Sequence, residues 1–108
     1  MGALLTGTVP AESAPICVLN HTDQRLFLTV DSQQGQRIEA STIAGGKLCL
    51  EAAPDVSQGV VGVFSSDQSL EGCSRLTRPN QPETLLDFHE FDNCRWADTP
   101  RGFSVGTD

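Results

Sequence analysis

Between Pro15 and Phe64, apolar and polar residues alternate in short runs separated by clusters of turn-forming residues. Ile16, Val18 and Leu19 surround Cys17 in the first run, Pro15–Asn20. It ends at Asn20-His21-Thr22-Asp23, a cluster whose short polar side chains favour turns by bonding to nearby backbone. In the second run, Gln24–Val30, Leu26, Leu28 and Val30 share one face while Arg25 and Thr29 take the other. A period of two marks a half-buried strand, and Phe27 departs from it only by falling on the polar side. After Asp31-Ser32-Gln33-Gln34-Gly35, the run Gln36–Ile43 sets Ile38 and Ala40 against Arg37, Glu39 and Ser41. After Ala44-Gly45-Gly46, the run Lys47–Ala52 sets Leu48 and Leu50 against Lys47, Cys49 and Glu51. Gly59–Phe64, GVVGVF, is apolar or small on both faces, as a central strand would be.

Strands spaced by about 8–12 residues and joined by Gly, Asn, Asp and Pro turns predict an all-β fold. The expected form is an antiparallel β-sandwich or small barrel of about seven strands. Ser65–Gly72 reads as a surface loop and Cys73–Thr77 as a short strand. One segment is ambiguous. Asn80-Gln81-Pro82-Glu83 has the residues of a helix N-terminus, and Leu85, Phe88 and Phe91 would line one side of a short helix over residues 81–91. The alternative is strand, bend, strand with the bend near His89-Glu90, and the β neighbours favour it. Phe27, Phe64 and Phe88 are expected in the core, with Phe91 also facing inward.

At 108 residues the chain is a single domain. It is expected to comprise an arm or signal remnant over residues 1–14, a folded body over 15–97 and a loosely held tail over 98–108. A chain this size buries roughly 65% of its unfolded surface, so covalent bracing matters. Cys17, Cys49, Cys73 and Cys94 are dispersed and even in number, without the paired spacing of a zinc ribbon. They read as two disulfides of an exported, periplasmic or secreted protein. Of three possible pairings, Cys17–Cys49 and Cys73–Cys94 are expected, because each brackets a self-contained run of strands.

The net charge of −7 repels phosphate backbones and anionic lipid, which argues against nucleic-acid and membrane-surface roles. No run approaches the roughly 18 apolar residues of a spanning helix. Asn20-His21-Thr22 fits the acceptor triplet for N-glycosylation, a pattern short enough to recur by chance.

Candidate chemistry concentrates in DFHEFDNCRW, residues 87–96. Asp87, His89 and Asp92 are residue types that ligate zinc or manganese, with Glu90 as a further carboxylate. The plainer reading makes them solvated acids at an outer edge. A blue-copper site would need two His, a Cys and usually a Met, and the sole methionine is Met1. There is no G-x-S-x-G, H-E-x-x-H or phosphate-cradling glycine loop. No catalytic residue or cofactor is therefore expected. Carbohydrate binding would rest on Trp96 and Phe103 as aromatic platforms, although a tryptophan beside a half-cystine more often packs against the bridge. A small metal-dependent enzyme using the 87–92 cluster is a third reading. The preferred expectation is a non-catalytic accessory or inhibitor module that binds another, basic protein through Asp87, His89, Glu90, Asp92 and Trp96.

Overall fold

The computed structural model describes residues 14–97. The arm before Ala14, the tail expected over 98–108 and Phe103 lie outside the described residues. Eight strands follow in order: β1 (Ala14–Asn20), β2 (Leu26–Asp31), β3 (Arg37–Thr42), β4 (Lys47–Ala52), β5 (Gly59–Phe64), β6 (Gly72–Thr77), β7 (Glu83–Asp87) and β8 (Arg95–Trp96). They form two four-stranded sheets, β4-β1-β7-β8 and β3-β2-β5-β6, packed as a sandwich.

The predicted all-β class and both expected disulfides are present. One detail differs: the sandwich is not wholly antiparallel, because β1 and β7 pair in parallel over Val18–Asn20 and Glu83–Leu85. Over residues 81–91 the favoured reading holds, with β7 followed by a turn that leads to β8, and no helix. Asn80, expected to cap one, instead takes a left-handed conformation (φ 67°) and donates its N–H to the Pro15 carbonyl. Thr77 Oγ1 closes the same turn on the Gln81 carbonyl. Leaving that turn extended lets β7 enter between β1 and β8, where both sides of its backbone find partners.

Alternation places Ile16 and Val18 of β1, Leu26, Leu28 and Val30 of β2, Val61 and Val63 of β5, and Leu85 of β7 between the sheets, each fully or almost fully buried. Asn20 lies in the same layer at 0% exposure, and it is fully engaged. Its Nδ2 donates to the Gln24 and Ile43 carbonyls, and its Oδ1 accepts from the Thr22 N–H and hydroxyl. One side chain thus ties the β1–β2 loop to the β3–β4 loop at one end of the sandwich, each bond replacing one lost to water.

Open sheets expose edges that must be protected from pairing with other chains. Two edges here are closed by side chains that imitate a strand. Gln36 donates Nε2 to the Glu51 carbonyl and accepts from Ala53 N–H at the β4 edge. Asp92 does the equivalent for β6, using its backbone N–H toward the Gly72 carbonyl (2.9 Å) and its carboxylate toward Ser74 N–H (2.9 Å).

Candidate interaction site

Between β7 and β8 the chain makes the turn that holds most of DFHEFDNCRW. Phe88 packs against the core, while His89, Glu90, Phe91 and Asp92 are exposed. Phe91 (φ 62°) and Asp92 (φ 63°) both adopt the left-handed backbone conformation. That is tolerable for Asp but an outlier for a bulky residue, at a cost of about 1–2 kcal/mol. Two restraints hold the conformation. The backbone and carboxylate of Asp92 are bonded to β6, and Cys94 is bridged to Cys73. The bridge also organises the approach, since His89 N–H donates to Cys94 Sγ at 3.4 Å. The His89 carbonyl oxygen lies 3.0 Å from Cys73 Sγ and 3.3 Å from Cys94 Sγ. Bridged sulfurs carry no proton, so these last two are S···O contacts.

Phe91, expected to face inward, therefore points out and is 66% exposed. Beside it stands Leu70, 93% exposed, from the loop between β5 and β6. Together with Phe64, Glu71, Gly72 and Asp92 they line a groove of about 440 Å³. The floor depends on Phe64, whose ring lies over the backbone of its neighbours. A Cβ on Gly72 would come within 2.6 Å of Phe64 Cδ2, and one on Gly62 within 3.1 Å of Cε1. Phe64 pairs across the sheet with Phe27, and both lie on the outer face, opposite in phase to Leu26, Leu28 and Val63. The expectation that they belong to the core is thus corrected. Phe27, Phe64 and Glu39 line a smaller depression of about 140 Å³ that continues from the groove through Phe64. The out-of-phase position of Phe27 in its strand was the sequence signal for this face.

The other residues singled out in the sequence separate. Asp87 sits opposite Arg95 and pairs with its Nε at 2.6 Å, both side chains about half exposed. Such a surface pair contributes about 0–1 kcal/mol. Asp92 is used to close the β6 edge. His89 and Glu90 project to solvent. Among the described residues, no three or more His, Cys, Asp and Glu side chains gather as a metal ion would require. All four cysteines are bridged, so none offers a thiolate nucleophile. Trp96, 7% exposed, is a core residue with the Arg75 guanidinium 5.0 Å from its ring centroid. It belongs to neither a sugar platform nor the outer surface, because β8 aligns it with Leu85 on the inner face.

The charge around the groove is one-sided. Glu71 and Asp92 line it, Glu90 precedes Phe91, and Asp67 is exposed in the loop that carries Leu70. On the same sheet face, Arg37 is already paired with Asp31 (3.4 Å) and Glu39 (3.0 Å). The site therefore joins exposed apolar side chains to acids that form no ion pair among the described residues. No family model matches the chain, and neither does any curated protein or solved structure.

Proposed function

We propose that this protein is an exported, non-catalytic binding module. On this reading it recognises a partner protein through the groove formed by Phe64, Leu70 and Phe91. The observation that carries the proposal is Phe91 itself. Its backbone is held in an unfavourable conformation and its ring is left in water, so neither feature benefits the free fold. Both make sense if the ring is completed by a partner. Two disulfides in a small domain are consistent with an extracytoplasmic setting, where such a module would meet other exported chains. The partner segment suited to this surface carries an apolar side chain for the groove and flanking Lys or Arg for Asp67, Glu71 and Glu90.

The reading can be tested with labelled peptide arrays in which a Leu, Phe or Trp is flanked by Lys/Arg or by Glu. Basic-flanked apolar peptides should bind the wild-type chain, and Leu70→Ser and Phe91→Ser should each weaken them by about tenfold or more. Binding by both variants as tight as that of the wild-type chain, with the fold intact by circular dichroism, would remove the groove from consideration.

A further inference from the structure

The apolar groove uses one half of β6, and the other half frames a chemically different pocket. It has a volume of about 440 Å³ and is lined by Gln58, Arg75, Thr77, Arg78, Gln81 and Glu83, with Leu76 as its one apolar member. We infer that this pocket binds a small anionic polyol, a molecule that carries both hydroxyl groups and a carboxylate or phosphate.

Three features lead there. Glu83 occupies an inward position of β7, opposite Val18, and is 6% exposed. Its Oε1 lies 3.4 Å from Arg75 Nε, close enough for charge attraction, yet it makes no hydrogen bond among the described residues. A buried carboxylate oxygen can only accept, so it calls for a donor. Arg75 already balances its charge, which favours a neutral hydroxyl over a second cation in that position. Next, the ionisable groups lining the pocket are two cations, Arg75 and Arg78, against one carboxylate, Glu83. In a chain of net charge −7, this pocket is locally positive. Arg78 forms no ion pair among the described residues and stands exposed at the rim, where a carboxylate or phosphate would meet it. Finally, Gln58 and Gln81 each add an amide that can both donate and accept, the combination that suits vicinal hydroxyls.

The test is a nitrogen–proton correlation NMR titration of the full chain with glucuronate, a hexose phosphate, glucose and inorganic phosphate. Glucuronate or the hexose phosphate should shift amides of residues 75–83 and bind about tenfold tighter than glucose or inorganic phosphate. Whichever of the two binds tighter identifies the anion. Arg78→Gln, at an exposed position, should lower that affinity by about tenfold. Glu83→Gln should narrow the preference for the anionic polyol over inorganic phosphate, and if this variant does not fold, Arg78→Gln decides. Absence of binding, equal binding of glucose or of inorganic phosphate, shifts confined to the Leu70–Phe91 groove, or an unchanged Arg78→Gln would each overturn the inference.

Discussion

The bridge between Cys17 and Cys49 joins residues that already face one another in a six-pair antiparallel ladder, with a Cα separation of 4.1 Å. The bridge between Cys73 and Cys94 joins an edge strand of one sheet to the turn between β7 and β8 of the other. Around the first, hydrogen bonds, alternation and burial all ask for the same backbone path. Around the second, Phe91 and Asp92 take left-handed conformations and an apolar ring is turned outward. One bond reinforces what the ladder already specifies; the other holds a shape the local sequence resists. Local agreement between levels marks the part of a molecule that serves stability, and disagreement marks where a functional site is to be sought.

The comparison can be broken most directly by removing each bridge in turn. Loop closure over 32 residues should make Cys17→Ala/Cys49→Ala less stable by about 4 kcal/mol, measured by urea denaturation under non-reducing conditions. The 21-residue separation of the second bridge predicts a loss of about 3 kcal/mol for Cys73→Ala/Cys94→Ala. The two should part in what else they lose. Hydrogen exchange should quicken across residues 88–94 and groove binding should fail only in the second variant. If both variants lose binding to the same degree while folded, the assignment of separate roles is wrong.

A smaller effect tests the edge closure by Asp92. Asp92→Ala removes the acceptor for Ser74 N–H and places a less tolerant residue at φ 63°, so it should cost about 1–2 kcal/mol in thermal unfolding. Asp92→Asn keeps an acceptor and tolerates that conformation, and should restore nearly all of it. A similar loss in both variants would mean that charge, not strand imitation, is what β6 needs.

The smallest change in stability carries the opposite sign. Phe91→Gly relieves the left-handed strain and gives up little buried packing, so it should stabilise the fold by up to about 1 kcal/mol while abolishing groove binding. A destabilised Phe91→Gly would show that the ring packs in the free protein, and the contrast drawn here would lose its sharpest support.

The alternation of Leu26, Leu28 and Val30 and the uniform apolar run of Gly59–Phe64 placed the central strands correctly, because burial on one face or both leaves its period in the chain. Phe27 is visible as an exception, but an aromatic residue is so often buried that its phase alone does not place it on the outer face. Less was legible near DFHEFDNCRW. Asp92 reaches a backbone amide 18 residues away, and Glu83 faces inward although its neighbours suggested a helix cap. Neither depends on local pattern. The parallel meeting of β1 and β7 is equally remote, since it depends on which strands share a sheet after the chain has crossed between layers several times.

The burial of Asn20 has a consequence for how this chain can be made. Its Nδ2, the atom an oligosaccharide would be attached to, points into the sandwich and is bonded to the Gln24 and Ile43 carbonyls. In a eukaryotic secretory host, the acceptor triplet Asn20-His21-Thr22 would be presented to the glycosylation machinery before those bonds exist. A glycan added then would wedge apart the two loops that Asn20 joins. Maturation becomes a race between sugar transfer and closure, and only molecules that close first reach the native fold.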